Sequence, residues 1–114
     1  MKSALISLCA LLASTPALAA TISTSEAKSY VGQTVTVEGV VSEVHTSRAG
    51  DTFIDMGGRY PNEQFYGVIF SQDATKVSGV GDLSGKTVAL TGTIQMYRGT
   101  PEIILRAADQ IARH

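Results

Sequence analysis

Gly32-Gln33-Thr34-Val35-Thr36-Val37-Glu38-Gly39-Val40-Val41 returns later in the chain as Gly85-Lys86-Thr87-Val88-Ala89-Leu90-Thr91-Gly92-Thr93-Ile94. Gly, Thr, Val and Gly recur at the same offsets. Each copy starts at a turn and runs into a segment in which polar and apolar residues alternate. That alternation is the signature of a half-buried strand, because successive side chains point to opposite faces. A glycine in the middle of such a strand suggests a bulge or a sharp bend. Two long strands that can bend are what a small Greek-key barrel requires, since each must serve two sheets.

The rest of the chain is read outward from this pair. Upstream, Ser23-Thr24-Ser25-Glu26 fits a capping box, so a short helix is expected over Glu26 to Tyr30, ended by Gly32. Downstream of the first strand, Ser47 to Asp51 is a turn and Thr52 to Met56 a second strand. Ile54 and Met56 fall on one face of it, Phe53 and Asp55 on the other. Gly57 to Asn62 is a loop by composition, and Gln64 to Phe70 a third strand. Ser71 to Asp82 is polar, with a weak helical stretch near Asp73 to Val77. The fourth strand spans Thr87 to Met96, a turn covers Tyr97 to Pro101, and the fifth strand spans Glu102 to Leu105. In the tail, Ile111 is expected to tuck against the core. The expected class is therefore all-β: a five-stranded Greek-key OB-fold barrel with a short N-terminal helix and a short helical turn between strands 3 and 4. An SH3-like five-stranded barrel is the competing architecture, but its strands are shorter and it has no helical insertion at this place.

The N-terminus reads differently. Met1-Lys2 is a positive start, Ser3 to Ser14 is an apolar run, and Ala17-Leu18-Ala19 places small residues where a signal peptidase reads them. The run is too short to span a bilayer. The expected organisation is a signal peptide over 1–19 and one OB-fold domain over 20–114, with a periplasmic or secreted product and no membrane span after cleavage. Cys9, the sole cysteine, lies inside the apolar run, so the domain is expected to work in an oxidising compartment without disulfides. Removing Lys2 from nine basic residues leaves eight against ten acidic, a formal charge of −2. Proteins that grip phosphates by counterion release are usually basic. A nucleic-acid site must here rest on a local patch.

Little in the sequence points to catalysis. The two histidines, His45 and His114, fall short of the converging ligands that a metal site needs. There is no Gly-x-Ser-x-Gly elbow. The glycines at 57–58 and 79–81 lack the lysine and the strand-to-helix context of a phosphate loop. His45 reads as a solvated strand-end side chain, Asp51 as a turn former and Asp55 as an exposed sheet residue. No enzyme activity, cofactor or metal is expected.

Val31 to Val41, then Thr52-Phe53-Ile54-Asp55-Met56-Gly57 and Phe65-Tyr66-Gly67-Val68-Ile69-Phe70, resemble OB domains of the tRNA-anticodon-binding type. Gly85 to Val88 and Met96 to Ile103 resemble the last two strands of the same class. The resemblance implies a domain that binds single-stranded nucleic acid on its second and third strands, with the aromatic matching Phe53 stacked on a base. The export signal is a departure from that family and excludes a role with tRNA in translation. At the level of architecture alone, the chain also resembles small periplasmic bacterial OB-fold proteins, which implies a small ligand.

Parity supplies candidates for binding. If Ile54 and Met56 fill the interior, Phe53 is displayed; a reversed register would bury it. Arg48 follows the first strand, Arg59 and Tyr60 lie between the second and third, and Tyr97 and Arg98 lie between the fourth and fifth. Single strands are held by aromatic platforms with Arg or Lys along the backbone path, and Arg over a ring adds a cation–π contact. Tyr30, Phe65, Tyr66 and Phe70 are assigned to the core. Two functions from different classes fit these residues. One is weak binding of single-stranded nucleic acid or nucleotides through Phe53, Arg48, Arg59, Tyr60, Tyr97 and Arg98. The other is an envelope module for a small cation, a metabolite or a partner protein.

Overall fold

The computed structural model describes residues 19–114; the expected signal peptide, Ala19 apart, lies outside the described residues. The architecture is all-β and OB-like. Its strands are β1 (Ala20–Ile22), β2 (Thr34–Thr46), β3 (Thr52–Met56), β4 (Phe65–Ile69), β5 (Thr87–Thr93), β6 (Gln95–Tyr97), β7 (Thr100–Ile104) and β8 (Ile111–Arg113). A 3-10 helix covers Thr24–Tyr30, and the expected helical turn after the third predicted strand is a 3-10 turn at Ser71–Asp73. At the start of the first helix the Glu26 carboxylate accepts from the Ser23 amide at 2.8 Å, as the capping pattern requires.

The strand path runs β6-β7-β4-β3-β2-β5-β8, with β1 parallel to β2. Every neighbouring pair on the path is antiparallel except β4 and β7, which are parallel. The long β2 changes partners along its length. Thr34 to Val40 pairs with β5, and Val41 to Thr46 with β3. The irregularity that bends it lies between Val41 and Glu43, not at Gly39. Gly39 is in register with Val88, and its missing side chain makes room for Met56 and Thr24 instead.

The fourth predicted strand is split into β5 and β6. Ile94 breaks it, because its amide donates to the Gln33 carbonyl at 3.0 Å and its carbonyl accepts from the Gly32 amide at 2.8 Å. Its neighbour Gly92 lets β5 approach β7: a Cβ there would stand 2.5 Å from Ile103 Cγ2. The expected five-stranded OB-fold barrel takes the form of a curled sheet whose hydrogen-bonded path runs open from β6 to β8, with β5 and β6 joined covalently through Ile94. β1 and β8, too short for a periodicity signal, extend the sheet beyond the five strands expected. Ile111 does pack on the core, in register with Leu90.

The core lies inside the curl: Val35, Val37, Val41, Ile54, Met56, Phe65, Ile69, Val88, Leu90, Ile94, Ile103 and Leu105 are all buried. Gly67 completes it from β4, where a Cβ would stand 2.8 Å from both Leu105 and Leu90.

Candidate functional site

Cross-strand register builds the outer face of the sheet. His45 on β2 is opposite Phe53 on β3, which is opposite Val68 on β4, which is opposite Ile104 on β7. The adjacent row runs Glu43, Asp55, Tyr66, Glu102 and Gln95. Directly opposed residues share a face, so one row carries rings and apolar groups and the next carries carboxylates. Ile54 and Met56 are fully buried in the core, as parity demands, and Phe53 is on the other side.

The rings touch. His45 stacks on Phe53 at 5.1 Å between centroids and 16° between planes. Phe53 meets the edge of Tyr66 at 5.4 Å, and Tyr60 leans over His45 at 5.8 Å. With Ser47, Pro61, Glu63, Tyr97, Arg98 and Thr100 they line an open cavity of about 580 Å³. A cavity of about 250 Å³ adjoins it, sharing Glu63 and Thr100 and adding Lys28, Gln64 and Met96. The β6–β7 hairpin turns through Arg98 (φ 51°) and Gly99 (φ 85°), both left-handed as a type I′ turn demands. This puts the Arg98 guanidinium 5.3 Å from the centroid of the Tyr97 ring.

Beneath the rings lie charges. Asp55 is fully buried, with its carboxylate 3.0 Å from His45 Nε2. Burial pushes its pKa up to about 6; the His45 charge opposes that rise, Glu63 and Glu43 add to it, and the Tyr60 amide opposes it more weakly. Among the described residues, no donor reaches either Asp55 oxygen in full hydrogen-bond geometry. Next along the row, Tyr66 donates its hydroxyl proton to Glu102 at 2.6 Å, and Gln95 Nε2 donates to the other Glu102 oxygen. Burial, together with that bond, holds the Tyr66 phenol well above its ordinary range. Glu63, at the cavity wall, has one carboxylate oxygen buried without a partner among the described residues.

Of the six residues expected from the sequence, Phe53, Tyr60, Tyr97 and Arg98 come together around the larger cavity. Arg48 and Arg59 do not line it. Arg48 is exposed in the β2–β3 turn, and Arg59 is exposed and paired to Glu43 at 3.5 Å. Asp55, expected exposed, is buried because the loop bearing Tyr60 and Glu63 covers the sheet there. His45, expected to be a solvated side chain, is half-buried between Phe53 and Tyr60. Tyr66 is buried, yet on the cavity side and outside the core cluster. Extending parity to Gln64–Phe70 with Phe65 and Ile69 inward would have turned Tyr66 outward. Counting the hairpin register back from the Ser47–Asp51 turn would have set His45 opposite Phe53.

The geometry defines an OB-type all-β domain with an aromatic cavity over an acidic row. Among solved structures, the chain is similar to a protein assigned as an aspartyl-tRNA synthetase from Leishmania major Friedlin. The two share 14% identity with a TM-score of 0.54, over 90% of this chain and 22% of that one. An aspartyl tRNA synthetase from Entamoeba histolytica aligns with a TM-score of 0.47 and 14% identity, over 75% of this chain and 20% of that one. This chain therefore spans about a fifth of the length of either. No protein-family model matches the chain, and no curated protein matches it. At 14% identity the likeness to the Leishmania chain is one of fold, and it agrees with the OB-type class.

Proposed function

We propose that this chain is an exported binding module that takes single-stranded nucleic acid or nucleotides weakly, through its aromatic cavity, and performs no reaction on them. The observation that carries the reading is the cluster of Phe53, His45, Tyr60, Tyr66 and Tyr97 around one cavity on the outer sheet face, with Arg98 at its rim. Every base has a π-face, and stacking on an aromatic side chain is worth about 1–3 kcal/mol per base. The OB-like architecture supports the reading, since such domains use this face and the loops beside it. So does the Leishmania likeness, to a protein assigned as acting on tRNA. Cations are sparse around the cavity: Arg98 and Lys28 border it, while Arg59 is already neutralised by Glu43. Binding thus rests on bases more than on phosphates, which makes it weak and its salt dependence shallow. Export rests on the signal-like N-terminus alone; N-terminal sequencing of a secreted product should find Ala20 first.

Fluorescence anisotropy with a labelled single-stranded oligonucleotide at two salt concentrations tests the reading. Saturable binding that weakens roughly tenfold in Phe53→Ala is the expected outcome, about the loss of one stacked base. No binding at low salt with millimolar protein would overturn it. The carboxylates Glu43, Asp55, Glu63 and Glu102 around the same rings favour a second reading, a small organic cation held by cation–π contact. Thermal stabilisation by spermidine with no response to oligonucleotide would select it.

A further inference from the structure

We propose that the cavity prefers a base bearing an exocyclic amine, guanine above all, and disfavours thymine and uracil. This rests on the nucleic-acid reading above and concerns which base the site accepts.

Several hydrogen-bonding groups of the wall are already committed within the protein. The Tyr66 hydroxyl has given its proton to Glu102, so toward a ligand it can only accept. The Arg98 guanidinium lies over the Tyr97 ring at the outer hairpin, placed for the rim of the cavity and not its floor. Glu63 lines both the larger and the smaller cavity, and one of its oxygens is desolvated without a donor. An ionised carboxylate accepts only, and a buried acceptor left unmatched is unfavourable until a donor reaches it. At Glu63 and Tyr66 the wall thus asks for N–H groups, while His45 and the hydroxyls of Ser47, Tyr60, Tyr97 and Thr100 can serve the remaining edges of a base.

Base edges differ in what they can supply. Thymine and uracil offer a single N–H flanked by two carbonyls, which a carboxylate repels. Cytosine and adenine each offer one amine beside a ring acceptor. Guanine alone offers two adjacent donors, N1–H and the 2-amine, spaced to meet both oxygens of one carboxylate. A good bidentate contact of this kind discriminates against the wrong base by roughly tenfold or more. The rings select a flat π-system without regard to its edge. Glu63 adds the edge preference.

Four heptadeoxynucleotides, thymine throughout except for a central G, A, C or T, test this by anisotropy competition with the purified protein. A single guanine per strand avoids self-association. The expected order is G tightest, roughly tenfold over T, with A and C between. Glu63→Gln keeps the side chain's size and should bring all four within about twofold of one another, with an unchanged melting temperature showing that the fold is intact. Equal binding of the four by the unaltered protein would overturn this inference and leave the proposed function standing. Binding of none would overturn both. Displacement of the strands by spermidine at equal concentration would assign the acceptors to organic cations and overturn the base preference.

Discussion

Phe53 and Ile54 are neighbours in β3, yet they stand in different chemical worlds. Ile54 points into the curl, where Met56, Phe65, Leu90 and Ile103 leave no solvent contact. Phe53 points out, to a half-open face where a histidine, three tyrosines and buried carboxylates meet. The inner face is uniform, apolar and committed to cohesion. The outer face contains groups whose placement costs stability: Asp55 buried without full hydrogen bonding, and a phenol tied to a buried Glu102. Polar groups held at such a cost on one face of a stable sheet are where function is to be sought.

The contrast can be broken by substitution. The largest effect belongs to the inner face. Ile54→Ala should destabilise the fold by about 2–5 kcal/mol in chemical denaturation, by lost burial and an incompletely collapsed cavity. A loss under about 1 kcal/mol would mean that the inner face is not tightly packed.

A smaller effect, specific in pH, belongs to Asp55. Its carboxyl titrates near pH 6 in the folded chain against an ordinary 3.8, so between these values the folded state holds the extra proton. Stability contributed by this group is therefore fully present below about pH 3.8 and is lost as pH rises toward 6, by up to about 3 kcal/mol. Asp55→Asn should flatten that slope, as read from denaturation midpoints between pH 4 and 7. An unchanged slope would show that the carboxylate is solvated.

Next in size is Tyr66→Phe, which leaves the buried Glu102 with Gln95 as its remaining side-chain partner. A loss of about 1–3 kcal/mol is expected at neutral pH. A neutral result would mean that water replaces the phenol. Smallest on stability is Phe53→Ala, at about 1 kcal/mol, although its loss of oligonucleotide affinity should be the greatest of the set.

Much of the fold was legible because strand alternation is a strong signal where one face is buried. Val35, Val37, Ile54, Met56 and Leu90 all fall inside as their parity required. The bend of β2 was misplaced, because a mid-strand glycine serves equally for a bulge and for close packing, and Gly39 serves the second. The break at Ile94 depends on a hydrogen bond to Gln33, 61 residues away in sequence, and no local pattern announces it. At the site, loop aromatics were legible from the architecture. Phe53, Tyr60, Tyr97 and Arg98 do converge, while the arginines at 48 and 59 turn to solvent and to Glu43. Asp55 and His45 were misread, since a carboxylate on the outer face of a strand looks exposed until the Tyr60–Glu63 loop folds over it.

Backbone amide shifts followed by NMR during titration with a single-stranded oligonucleotide test whether the aromatic cavity is the binding site, because both faces and both ends of the sheet report at once. Changes concentrated at His45, Phe53, Glu63, Tyr66 and Tyr97 are expected. None is expected at Thr36 and Thr91, whose hydroxyls pair at 2.7 Å across β2 and β5, away from the cavity. Shifts centred on those threonines, or none anywhere at saturating oligonucleotide, would contradict binding at the cavity.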